Sequence, residues 1–307
     1  MEESTASSTA MFVSLMRAIY SRTAQRPIFN DPWGETLLPG DAILAVQQRV
    51  SAAPPALHGA QASGVSVDKI LAAALSHPAL ANVIVRSRYT EDALETAILR
   101  GVKQYVVIGA GFDSYALRQP AHARQLAIYE IDHPATQGLK LRRLKECGID
   151  LPGTVQFLSA DLAEQQLSAV LANSSFKATE PAFFSLLGLT MYLSHDDNAT
   201  MLGEIARSAA PASELVFSYV DQAAFTADTS EESVAFRGLQ QSVATLGEPF
   251  LSGFDPATLA QVLARAGLRL EEDLTDDQAI ARYDRDGTSG LRSAPVSRIA
   301  RATVVDR

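Results

Sequence analysis

The segment Gln104 to Pro120, QYVVIGAGFDSYALRQP, constrains the fold more than any other part of the chain. An apolar strand runs into a glycine-rich turn, and the turn runs into a segment able to form a helix. About 20 residues further on, a second apolar stretch, LAIYEID, ends in acid. That order suits an open α/β sheet that holds the ribose end of a nucleotide-like ligand at its strand ends. Gly109 and Gly111 stand where the backbone must turn sharply and approach a ligand closely, which a side chain would obstruct.

The rest of the chain fits that class. Strands are expected near 104–108, 126–131, 155–159, 183–187, 214–219, 267–272 and 297–304, with helices between them at about 114–119, 136–147, 196–208 and 256–266. The middle strands are apolar on both faces, as parallel strands covered by helices are. The last two strands are expected to form a hairpin, because residues 271–295 offer turn material and no clear crossover helix. Upstream, MFVSLMRAIYSR puts Phe12, Leu15, Met16 and Ile19 on one helical face, Asn30 and Asp31 before Pro32 mark a turn and helix start, and VRSRYTEDALETAILRG reads as a longer helix stopped by Gly101. Residues 51–65, rich in Ala, Gly and Pro, read as a loop or mobile cover, and disorder is expected no further than the first ten residues.

The expected architecture is therefore α/β: a Rossmann-like, seven-stranded, mostly parallel sheet with an added N-terminal helical cover. Residues 1–100 supply the cover and a lead-in helix, and 101–307 the cofactor-binding core, with lid inserts near 162–181 and 221–253. A chain of 307 residues, 47% apolar, can bury so large a core. Its net charge of −9, without a basic stripe, makes an extended phosphate backbone a poor partner, so no nucleic acid is expected. No apolar run approaches the roughly 20 residues that span a bilayer. Cys147 is the single cysteine, which excludes an internal disulfide and a Cys-based zinc site; it reads as a packing residue, no metal is expected, and the expected location is a reducing cytoplasm.

A dinucleotide fingerprint would place a third glycine where this chain has Ser114, in GAGFDS. Asp113 adds negative charge where a diphosphate would meet helix N–H groups. S-adenosylmethionine has no phosphate and carries a sulfonium and an ammonium, so the local chemistry leans toward it. Glu130 can accept from both ribose hydroxyls, with Asp132 its competitor on the same side of the strand. Asp161, in QFLSADL, is placed to accept from an adenine amine, with Leu162 against the ring; as an alternative it only caps a helix. Arg86 and Arg88 offer a guanidinium for the cofactor carboxylate, or are solvated helix residues.

Taken in order, STAMFVSLMRAIYSR, FNDPWGETLL, VRSRYTEDAL, VVIGAGFDSYALR, IYEIDHPATQGLK, FLSADL and LLGLTMYLS make the chain resemble the leucine carboxyl methyltransferase family, including its bacterial members assigned to small-molecule and polyketide O-methylation. The resemblance covers about two thirds of the chain and implies a class I methyltransferase sheet using S-adenosyl-L-methionine. It implies Arg88, with Arg86 second, for the cofactor carboxylate, Gly109, Gly111 and Asp113 for the turn, Glu130 for ribose, and Asp161 with Leu162 for adenine. Two departures stand out: Tyr115 where the family usually has arginine, and Leu187-Gly188 where it has Glu-Gly.

Methyl transfer from a sulfonium is an in-line displacement that mainly needs alignment and exclusion of water. A carboxylate acceptor attacks unaided, whereas a phenol or alcohol needs a base. His195 is the candidate base and Tyr192 a candidate for orienting the acceptor, against a reading in which SHDD caps a helix and His195 is solvated. His133 is placed to shape the cofactor pocket, and Phe12, Met16, Tyr20, Phe29 and Trp33 to line a lid or serve as core. The leading expectation is O-methylation of an aromatic or polyketide-like small molecule. Carboxyl methylation of a small acid or protein terminus, and a non-catalytic methyltransferase-like binding protein, are the alternatives.

Overall fold

Strand pairing fixes the frame. The computed structural model describes residues 6–40, 77, 79–226, 231–245, 247–293 and 296–306. Its strands are β1 (Gln104–Ile108), β2 (Ala127–Asp132), β3 (Val155–Ser159), β4 (Phe183–Leu186), β5 (Glu214–Val220), β6 (Leu268–Thr275) and β7 (Ser297–Val304), in the order β3-β2-β1-β4-β5-β7-β6. β1 pairs in parallel with β2 and β4, β2 with β3, and β4 with β5, while β7 runs antiparallel between β5 and β6. The strand order reverses between β1 and β4, and in an open α/β sheet that reversal opens a crevice at the strand C-termini.

The helices among the described residues are α1 (Ser8–Thr23), α2 (Leu80–Leu99), α3 (Tyr115–Arg118), α4 (Pro134–Glu146), α5 (Leu167–Ala172), α6 (His195–Ser208), α7 (Glu231–Ala244), α8 (Leu259–Ala266) and α9 (Asp276–Tyr283). Alternation along the central strands feeds two cores. Val106, Ile108, Phe184 and Leu186 pack with α5, α6 and α8 on one face; Tyr105, Val107 and Phe183 pack with α2 and α9 on the other. β1 and β5 are buried throughout, whereas the edge strand β6 mixes buried, half-buried and exposed positions. The cover helix α1 packs Met16 and Tyr20 against Leu80, Val83 and Ile84 of α2, with Phe29 in the same cluster.

Several expectations change. Residues 32–37 form turns instead of a helix start, because Asp31 is fully buried and spends its carboxylate on Arg17 and the Trp33 N–H. Gly34 there lies against α1 so closely that a Cβ would fall 2.3 Å from the Ser14 carbonyl oxygen. The connection between β6 and β7 contains α9, whose start is a capping box made by Thr275 and Gln278, so the pair is antiparallel without being a simple hairpin. α1 reaches back to Ser8, capped by Ser7, into the stretch expected to be disordered. Within the 162–181 insert, Leu167, Val170 and Leu171 of α5 are buried in the main core. Cys147 is exposed at the end of α4 rather than packed. The loop expected at 51–65 lies outside the described residues.

Candidate active site

The glycine-rich turn after β1 is tied down at nearly every peptide. Gly109 and Gly111 take φ of +68° and +51°, a region side chains disfavour. The N–H groups of Gly109 and Ala110 donate to Ile131 O at 2.9 and 3.0 Å, Asp113 N–H donates to Ala110 O at 2.8 Å, and Gly111 N–H donates to the Asp132 carboxylate. Two cations close the far side: Arg17 Nη2 donates to Phe112 O at 2.7 Å, and Lys140 Nζ donates to Asp113 O at 2.6 Å. Asp113 turns its own carboxylate onto the Tyr115 N–H, at 2.8 Å, at the start of α3. Ser114 accepts from Arg118, whose guanidinium grips Glu91 with two hydrogen bonds and lies 3.6 Å from Asp31. Tyr115 is packed under β1, its ring edge-on to Tyr105.

The two acids of β2 have separate environments. Glu130 is 2% exposed and paired with Lys140, which is itself buried. Burial pushes the Glu130 carboxyl up to about 7, against the pull of Lys140. Asp132, at the strand terminus, accepts from Gly111 N–H and, at 2.7 Å, from His133 N–H; burial raises its pKa and those two donors oppose the rise. His133 caps α4 through Nδ1 and lies 3.8 Å from Asp161. Asp161 caps the turn after β3 by accepting from Ala163 N–H at 3.0 Å, and keeps its other oxygen toward His133. Leu162 packs against the main core cluster.

The arginines of α2 divide by helix phase. Arg86 is buried and donates to Asn82 Oδ1 at 3.2 Å, Asn82 in turn donating to Asp276 at 2.8 Å. Among the described residues no carboxylate forms an ion pair with Arg86. Burial first, and Arg17 second, pull its pKa down to about 10. Its guanidinium rests on Gly188 just past β4, where a Cβ would fall 2.6 Å from Nη2. Arg88 faces elsewhere: it pairs with Asp92 at 2.9 Å, donates to Ile28 O and stacks over Tyr283.

Beyond β4 the site becomes aromatic. Tyr192 is edge-on to Phe250, Phe250 stacks on Phe236, and Phe236 meets Phe225, all joined to Met191, Val220 and Ala224. Burial pushes the Tyr192 phenol up to about 12, with Thr9, Glu248 and Arg86 as its polar neighbours. Glu248 also accepts from Thr9 N–H at 3.3 Å, and Ala10 lies against Gly111, so the first turn of α1 bridges the glycine-rich turn and the 221–253 insert. His195 is not drawn in. It sits exposed on the first turn of α6, beside the capping box of Ser194 and Asp197, which is the solvated-cap alternative.

The structure therefore brings Arg86, Gly109, Gly111, Asp113, Asp132 and Tyr192 together at the C-terminal ends of β1, β2 and β4, with Glu130 buried beneath the turn and Asp161 and Leu162 on the β3 side. Sequence reasoning missed Arg17, Asn82, Lys140 and Glu248. Lys140 did leave a signal, since Thr136, Lys140 and Leu144 repeat every four residues on the buried face of α4.

Comparison with known proteins bears on this crevice. The sequence profile described as leucine carboxyl methyltransferase matches residues 10–206. The chain is 34% identical over 194 residues to a Bacillus subtilis (strain 168) protein named "Putative S-adenosyl-L-methionine-dependent methyltransferase YktD", a match covering 63% of each chain. A Mycolicibacterium paratuberculosis protein with the same description, without the final name, is 27% identical over 299 residues, covering 93% of this chain and 92% of its own. Among solved structures, a "putative methyltransferase" from Thermobifida fusca superposes with a TM-score of 0.55 at 16% identity, covering 82% of this chain and 93% of its own. A DUF574 family protein from Streptomyces avermitilis gives 0.53 at 14%, covering 81% and 94%. Both share the fold.

Proposed function

The chain belongs to the leucine carboxyl methyltransferase family, and we propose that it is an S-adenosyl-L-methionine-dependent methyltransferase that methylates an oxygen of an aromatic or polyketide-like small molecule. The observation that carries this reading is Arg86: a buried guanidinium with no ion-paired carboxylate among the described residues, beside a glycine-rich turn that ends in an acid. A guanidinium hydrogen-bonded to a neutral amide and not ion-paired suits the carboxylate of an amino-acid cofactor, and Asp113 disfavours a diphosphate.

The residues fit the cofactor part by part. Gly188 leaves room for the Arg86 guanidinium, which binds the carboxylate. Gly109 and Gly111 let the backbone approach the chain of the amino acid. Glu130 is committed to Lys140, so Asp132, whose two oxygens each retain a lone pair, takes the larger share of ribose binding. Asp161 and Leu162 hold the adenine edge and face. When bound, S-adenosylmethionine supplies a methyl carbon already activated by a positive sulfur.

What the protein then adds is alignment and dryness. Thr9 on the first turn of α1 meets Glu248 beyond Tyr192, and the rings of Tyr192, Phe225, Phe236 and Phe250 offer an apolar aromatic wall to the acceptor. Tyr192, held protonated at neutral pH, donates to the acceptor and cannot serve as its base. An acceptor hydroxyl would give its proton to Glu248, the acid near Tyr192. The exposed position of His195 favours a second reading, a carboxylate acceptor that needs no base.

Incubation with methyl-labelled donor and panels of phenols and carboxylic acids separates these readings. An alkali-stable labelled ether is the expected product. An alkali-labile ester that releases methanol would replace phenol methylation by carboxyl methylation, and tight binding of NAD in place of S-adenosylmethionine would overturn the assignment.

A further inference from the structure

The cofactor reading leaves the buried charge of Lys140 unused. Lys140 is a fully enclosed lysine on α4, and an ammonium taken out of water needs partners strong enough to offset its desolvation. Among the described residues its hydrogen-bond partners are the Glu130 carboxylate on β2 and the carbonyl oxygen of Asp113, the last peptide of the glycine-rich turn, at 2.6 Å. The ring of Phe157 on β3 lies 5.9 Å away. Gln137, one turn earlier on α4, donates to Glu130 O at 2.9 Å, so the helix grips this strand residue by backbone and side chain together.

We propose that Lys140 is a positioning residue for cofactor binding: through the Glu130–Lys140–Asp113 bridge it sets the height of the glycine-rich turn over the end of β2. The role is distinct from ligation, since neither buried member of the pair is open to a ligand. It also accounts for an acid on β2 that is too enclosed to receive ribose hydroxyls. The inference rests on the cofactor reading above.

Other charged groups face Glu130 as well: Asp113 from the turn and Asp132 two residues along β2 both disfavour its ionised form, and Lys140 from α4 favours it. With its carboxyl raised to about 7, Glu130 gains a proton as pH falls from 8 to 6, and the bridge then loses its fixed anion.

The test is calorimetric titration of S-adenosylhomocysteine into wild type, E130Q and the E130Q/K140M double variant, with melting curves for each. The double variant leaves no unpaired buried charge and so keeps the fold testable. Wild type should lose about fivefold in affinity between pH 8 and 6, E130Q should bind at the weaker level throughout with that step removed, and the double variant should bind about 30-fold more weakly at pH 8, as expected for loss of a charge-assisted bond to the turn. A purely structural pair would lower melting temperatures and leave these affinities and their pH step unmoved. A folded double variant that binds within about twofold of wild type would overturn the proposal. No binding by wild type would instead overturn the cofactor reading, and this inference with it.

Discussion

The two ends of the crevice are built differently. At the β1–β2 end, the groups are held by directional bonds: the turn 109–113 is held by Ile131, Asp132, Arg17 and Lys140, and behind it buried Asp31 and half-buried Arg118 and Glu91 form a charge network. Beyond β4, the wall is a set of aromatic contacts between segments far apart in sequence, with Thr9, Tyr192 and Glu248 as its few polar groups. Directional bonds at the first end specify one ligand geometry; apolar packing at the second tolerates a range of acceptor shapes. The cofactor is thus determined more sharply than the acceptor.

The substitution expected to act most strongly is R86M, with S-adenosylhomocysteine affinity falling about 30- to 100-fold through loss of a charged hydrogen-bonding partner. Because the guanidinium is buried without an ion-paired carboxylate among the described residues, its melting temperature should hold or rise, which sets it apart from an ordinary core variant. G188A comes next: with φ at +68° and Arg86 Nη2 in the way, it should cost about 1–3 kcal/mol in denaturant unfolding and weaken the same ligand. F236A opens the aromatic wall and should raise acceptor KM about tenfold while changing cofactor affinity by less than about twofold; equal losses in both would erase the contrast between the two ends.

Smaller effects sharpen it further. R88A, at a half-buried site turned toward Asp92 and Tyr283, and H195A, at an exposed one, should leave binding and turnover within about twofold of wild type, and a large loss in H195A would restore it as a base. Glu130 also shapes stability: its folded carboxyl lies near 7 against an ordinary 4.5, so the folded chain holds the extra proton between those values. Its contribution is therefore complete below 4.5 and is lost as pH rises to about 7, and E130Q should flatten that part of a stability–pH curve.

How much of this was legible follows from distance along the chain. The glycine-rich turn, the two acids of β2 and the parallel sheet are encoded within short windows, as periodicity and turn residues at neighbouring positions. The different settings of Arg86 and Arg88 were also present, in the i,i+4 pair of Arg88 with Asp92 that marks an outward face. The α9 helix was announced by Thr275 and Gln278, a capping box read as turn material. By contrast, the meeting of Thr9, Tyr192, Phe236 and Glu248 depends on packing across more than 200 positions, which no local pattern records.

The most direct test of the central claim is calorimetric titration of S-adenosylhomocysteine into wild type and R86M under one set of conditions. One site per chain with a clear dissociation constant for wild type, and a large loss in a fully folded R86M, is the result the account predicts. Equal affinities in the two proteins would contradict it.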